Sequence, residues 1–142
     1  MLWQSLFFFA NNVALFGWAL LLVGPRSPRM AAIILYFGVG LLCLAYAAMF
    51  VAQFDAIVAG DFLSIKGIRA LFQSDGGVVL GWTHYLAFDL FIGQWIAKDA
   101  DHKGFSRWVQ APILLLTLLA GPIGLLVWLF IRERRARAAA KA

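Results

Sequence analysis

The sequence is short of charge and of cysteine. Only 13% of its 142 residues are Asp, Glu, Lys or Arg, 63% are hydrophobic, and there is one cysteine, Cys43. A single thiol excludes an internal disulfide and a paired-thiol relay, and with them a quinone-linked thiol oxidoreductase. No lysine falls inside a long apolar run, which removes the Schiff base of a retinal pigment. No GxGxxG or P-loop pattern is present, so a classical nucleotide fold has no support. The histidines His84 and His102 would stand about 27 Å apart along a continuous helix, too far to clamp one haem. No cofactor is therefore expected. The basic C-terminal stretch lacks interleaved aromatics, and nucleic acid is not an expected partner.

What the chain does have is apolar length. A mean hydropathy of +0.85 is more than one water-soluble core of this size can absorb, and a bilayer is the natural solvent. About 20 apolar residues span the hydrocarbon as a helix. Four such runs occur, at about Trp3–Val23, Ala31–Val51, Val78–Ala97 and Gln110–Ile131. The expectation is an all-α, single-domain bundle of four transmembrane helices over residues 1–142. Between the second and third runs, Phe62, Ile65, Ile68 and Phe72 recur at helical spacing, while Lys66, Arg69 and Gln73 project elsewhere. That pattern predicts an amphipathic interfacial helix, started by Asp61 and ended by Gly76 and Gly77.

Met1 to Ala10 carries no Lys or Arg, and Gly24-Pro25-Arg26 is not a small-x-small cleavage site, so the first run is expected to stay as a span. The lack of a Ser- and Arg-rich transit peptide points to a bacterial inner membrane. Four spans would put both termini on one side. Arg132, Arg134, Arg135, Arg137, Lys141, Lys66 and Arg69 would then face Arg26, Arg29, Lys98, Lys103 and Arg107, a small excess favouring cytoplasmic termini. A bundle this small would need to assemble as a homo-oligomer to serve as a transporter.

The third run places Asp89 near mid-bilayer, where a carboxylate costs about 2.5 to 3.5 kcal/mol. Such a group should face the interior with a partner or a proton. His84 lies about 140° away around the helix, so the two can border one internal cavity as an acid and base pair. Tyr85, one turn before Asp89, sits on nearly the same side. Gln94 reads as packing glue. Asn11 and Asn12 on the first helix offer hydrogen-bonding groups to a ligand or to neighbouring helices. Trp82, Trp95 and Trp108 suit either a cavity wall or an interfacial belt. Asp99, Asp101 and His102 read as a solvated connector, so no metal site is expected. Pro112 suits the first turn of the last helix, and Gly121-Pro122 with Gly124 predicts a kink in its middle.

The runs Gly67-Ile68-Arg69-Ala70-Leu71-Phe72, Gly81-Trp82-Thr83-His84-Tyr85-Leu86-Ala87-Phe88-Asp89-Leu90-Phe91-Ile92-Gly93 and Gly121-Pro122-Ile123-Gly124-Leu125-Leu126 resemble the abscisic-acid-deficient-four-like proteins. Plant members of that family are required for neoxanthin synthesis in plastids. The resemblance implies a carotenoid or related membrane isoprenoid as ligand and an isomerisation that opens an epoxide to an allene. It would make Asp89 and His84 the catalytic acid and base. Tyr85, Trp82, Asn11, Asn12 and Arg69 would contact the substrate. The alternative is a non-catalytic carotenoid- or lipid-binding protein, or an accessory subunit.

Overall fold

The computed structural model describes residues 1–139, with side chains through Glu133. Among the described residues there are helices and turns and no strand. Helix α1 spans Leu2–Val23 and stops at Gly24, whose extended backbone is what a following proline demands. Helix α2, Pro28–Ala52, restarts at once because Ser27 caps it by accepting from Met30 N at 3.1 Å and Pro28 fills its first turn. Its segment Ile34–Gly40 is wound as π-helix. Two short helices follow, α3 (Phe54–Val58) and α4 (Ile65–Leu71), then the long α5 (Asp75–His102), capped by Ser74. Helices α6 (Arg107–Leu119) and α7 (Gly121–Ala139) are separated by Ala120 alone.

The contacts fix the direction of each helix. Trp3 meets Gly76, Asn11 bonds Trp82, Gly17 meets Leu90 and Trp18 meets Gly93, so α1 and α5 run parallel. Helix α2 runs against both: Gln94 donates to Ala31 O, Gly38 meets Leu90, Tyr46 stacks near His84, and Gln53 donates to Gly76 O. Leu90, fully buried, is the knob that Gly17 and Gly38 admit from either side. Together α1, α2 and α5 make a three-helix frame.

The last quarter departs from the four-span expectation. Helix α6 starts at the foot of α5, where Gln110 donates to Asp101, and climbs until Leu118 O lies 3.4 Å from the Tyr85 hydroxyl. The chain then turns back. Trp128 and Arg132 of α7 both donate to Asp99, and Trp128 packs edge-on against Phe105 at the foot of α6. Thr117 and Gly124 lie against each other so closely that a methyl on Gly124 would overlap Thr117. A merely kinked helix would hold these two residues about 10 Å apart. The expected fourth span is therefore a helical hairpin whose tip, at Ala120 and Gly121, reaches the middle of the frame. The described chain accordingly begins at one end of the bundle and leaves α7 toward the other, contrary to the expectation of termini on one side.

Two helices, α1 and α2, are long and apolar enough to cross a membrane. Large apolar side chains such as Phe8, Phe16, Phe37, Leu44, Phe88 and Phe130 stand exposed around the frame, the surface of a protein that meets lipid or partners rather than water.

Several local expectations change. The amphipathic helix is only Ile65–Leu71, and Ser64 caps it, accepting from Gly67 N at 3.0 Å. Asp61 instead holds the turn before it, accepting from Leu63 N and the Ser64 hydroxyl. Gly76 and Gly77 do not end that helix but open α5, because Ser74 is the stronger cap. Pro112 lies inside α6, which begins five residues earlier, at Arg107.

Candidate functional site

Ala120 breaks the hairpin with an extended backbone, φ −152° and ψ 72°, so α7 begins afresh at Gly121. Gly121 is required there by close approach: a methyl group on it would overlap the Asp89 carboxylate. The carboxyl group of Asp89, 8% exposed, is thus set against the first turn of α7, the end of a helix that attracts negative charge. Its Oδ2 is buried with no hydrogen-bond partner among the described residues. The Tyr85 hydroxyl interacts with this carboxyl group and with the Gly121 amide while donating to Leu118 O at 3.4 Å.

An aromatic wall continues from Tyr85. Trp82 stacks on it at 5.3 Å and on Phe7 at 6.2 Å, and the Trp82 indole donates to Asn11 Oδ1 at 3.1 Å. Asn11 in turn donates to Phe7 O of its own helix at 2.7 Å. The structure therefore joins Asp89, Tyr85, Trp82 and Asn11 into one cluster along the α1–α5 seam at the level of the hairpin tip. Asn12 stays outside it, exposed and bonded only to Phe8 O. The sequence did not reveal that the hairpin tip supplies the Leu118 carbonyl and the Gly121 backbone. The Gly-Pro pair marked the place but not the reversal.

His84 does not share a cavity with Asp89, contrary to the expectation. It projects toward α2, stacking on Phe88 at 4.6 Å and lying 5.5 Å from Tyr46. There it lines a cavity of about 970 Å³ roofed by α3 and α4, with Tyr46, Phe50, Phe72, Leu80 and Gln53 among its walls. That size sits at the upper end for ligand sites. Lys66, Asp61 and Ser64 provide polar atoms along α4. Arg69 is not among the cavity-lining residues and is exposed. The Tyr46–Phe50 pair is the overlooked sequence signal for this cavity, since a step of four residues puts both rings on one face of α2.

The acidic residues expected in a solvated connector are instead in the final turns of α5 and tightly held. Asp99 accepts from Arg132 at 2.8 Å and from Trp128 at 3.1 Å, and pairs with Lys103 at 3.2 Å. Burial alone would raise its pKa, but the Arg132 and Lys103 bonds outweigh that and hold it below the usual carboxylate range. Asp101 binds Gln110 at 2.7 Å and lies 3.4 Å from Arg26 Nε. Gln94 is buried and clamps α5 to α2 through Ala31 O, as expected of packing glue.

These features define a helical protein with an apolar exterior, a buried carboxyl group at a mid-bundle helix break, and a separate apolar cavity beneath a short surface helix. The chain belongs to the ABA DEFICIENT 4-like family, whose model matches residues 5–128. No curated protein and no solved structure matches it.

Proposed function

We propose that this protein is an integral membrane enzyme that isomerises a carotenoid-like isoprenoid by acid and base chemistry, with Asp89 and Tyr85 as the reacting groups. The observation that carries the reading is Asp89 itself. A mid-bundle carboxyl group with one buried oxygen unpartnered is expensive to keep, and such groups in membrane proteins are retained for proton chemistry or ligand binding. Family membership supports a carotenoid-like substrate class, and the Trp82, Tyr85 and Phe7 stack offers a wall against which a polyene can lie.

The reaction implied by the family needs no oxidant. A base takes a proton from the carbon beside the epoxide, and the freed C–H pair becomes the new double bond of the allene. The C–O bond opens as that bond forms, and an acid gives a proton to the departing oxygen. Asp89 serves as base, and the adjacent Tyr85 hydroxyl serves as acid, with the Gly121 amide beside it to stabilise the phenolate between turnovers. His84 is too differently placed to pair with Asp89, so its role moves to binding in the α4-roofed cavity.

That cavity favours a second reading, a carrier or accessory subunit that holds a lipid without changing it. Its walls are mostly apolar, and α4 covers it as a short, few-contact roof that could lift. The two readings separate in a carotenoid-producing bacterial host expressing either the native chain or Asp89→Asn, with pigments analysed by chromatography and mass spectrometry. A new isomer of unchanged mass that disappears in the variant supports the enzyme. An unchanged pigment profile, with pigment retained on both purified proteins, supports the carrier.

The orientation we propose follows from the hairpin. Arg26, Arg29, Lys98, Lys103, Arg107 and Arg132 all belong to the end where α5 finishes, and Arg134, Arg135, Arg137 and Lys141 follow in the sequence. Among the described residues, only Lys66 and Arg69 belong to the other end. The positive-inside rule then makes the basic end cytoplasmic, with the N-terminus across the membrane.

A further inference from the structure

A second cavity, of about 570 Å³, lies at the basic end between the α1–α2 connection, the start of α2 and the last turns of α5. Its inner wall is apolar, built from Leu20, Leu21, Ile34, Leu35 and Ala97. Its polar rim is basic: Arg26 and Lys98 stand there beside His102, with a single carboxylate, Asp101. That carboxylate is already engaged by Gln110 and Arg26. Lys98 has no ion-pair partner among the described residues. Arg26 is half-buried, donates through Nη2 to Gln110 Oε1 at 3.0 Å and lies 3.4 Å from Asp101, yet its Nε has no hydrogen-bond partner among the described residues. The π-helical segment Ile34–Gly40 forms part of the wall through Ile34, Leu35 and Tyr36, and such irregular turns recur where helices make room for ligands. Tyr36, 69% exposed, is the outermost of these lining residues.

A slot with an apolar inner wall and, at its polar rim, two basic side chains to one committed carboxylate fits an anion attached to a hydrocarbon chain. We propose that this slot holds the phosphate head of an anionic membrane lipid between Arg26 and Lys98, with the first part of an acyl chain seated between α1, α2 and α5. The slot is separate from Asp89 and from the α4-roofed cavity, so it serves neither as the reacting centre nor as the pigment cavity. A net-anionic head is preferred over a zwitterionic one because the rim offers two fixed cations against one committed carboxylate. An ordered lipid here would tie the α1–α2 connection to the last turns of α5.

The test uses the full-length protein, delipidated in detergent and offered phosphatidylglycerol, phosphatidylcholine or inorganic phosphate, with bound species read by native mass spectrometry. Phosphatidylglycerol should be retained about tenfold more strongly than phosphatidylcholine. Lys98→Gln should weaken that retention about fivefold, the ordinary effect of one basic residue beside an anionic head. Ala32→Trp, which fills the slot from a half-buried position without touching the rim charges, should abolish retention of both lipids. Both variants are checked by size exclusion and circular dichroism. Equal retention of the two lipids, or phosphatidylglycerol binding unchanged in both folded variants, would overturn the proposal. Full displacement of phosphatidylglycerol by millimolar inorganic phosphate would overturn the lipid and leave a simple anion site.

Discussion

Asp89 and Asp99 stand on one helix, both largely removed from water, yet their surroundings are opposite. Asp99 is answered by Arg132, Lys103 and the Trp128 indole, three donors from one helix and a turn. Asp89 has a tyrosine and a glycine backbone, and one oxygen with nothing. The first arrangement is that of a structural clasp, joining the hairpin's returning arm to the frame. The second stores a carboxyl group in a place that supplies it poorly. What separates structure from chemistry along this helix is the number of partners around each carboxyl group, a difference that residue type does not reveal.

The comparison can be broken most forcefully at the hairpin tip. Gly121→Val should push the Asp89 carboxylate and the α7 start apart and destabilise the fold by about 3 kcal/mol, the upper end of overpacking effects. Detergent unfolding followed by near-ultraviolet circular dichroism would show it, and native-like stability would mean that the tip is not closed on Asp89.

Next comes the clasp. Asp99→Asn should cost about 2 kcal/mol, because it leaves Arg132 and Lys103 without their shared partner. Since the Asp99 pKa is depressed in the folded protein, its stabilising contribution is present above the unfolded value near 4 and is lost as pH falls below it. Acid unfolding of the variant should therefore show a shallower slope below about pH 4 than the native chain.

Asp89→Asn should behave in the opposite sense, leaving stability unchanged or raising it by about 1 kcal/mol while removing any turnover. A destabilisation as large as that of Asp99→Asn would make Asp89 a second clasp and end its candidacy. The smallest effect is expected at Arg69, exposed and outside the cavity wall. Arg69→Ala should change stability by less than about 0.5 kcal/mol and leave pigment retention intact, whereas His84→Ala should reduce retention without unfolding the bundle.

The pattern of apolar runs disclosed the frame well, since lipid-compatible length is written directly into α1 and α2. The mid-helix carboxyl and its neighbour Tyr85 were also readable, because i and i+4 on a helix must share a face. Three things were not. The reversal at Ala120 depends on Thr117 and Gly124 meeting across the turn, a tertiary contact that local sequence expresses only as a generic Gly-Pro weakness. His84 and Asp89 looked able to border one space because the angle between them was compatible, but which neighbour fills that angle is decided by α2 and the hairpin, not by α5. Asp99 and Asp101 looked solvated because their partners, Arg132 and Gln110, come from the following hairpin and meet them only once it folds back.

The hairpin also bears on how the molecule is made. Helix α6 has 13 residues, about 20 Å, against the roughly 30 Å of hydrocarbon that an independent crossing must bridge. During synthesis neither arm has a reason to enter the bilayer alone. The frame of α1, α2 and α5 must be standing first, offering Tyr85 and Asp89 to the tip and Asp99 to the returning arm. The carboxyl group at the centre of the proposed chemistry is then covered only when the hairpin docks on the frame.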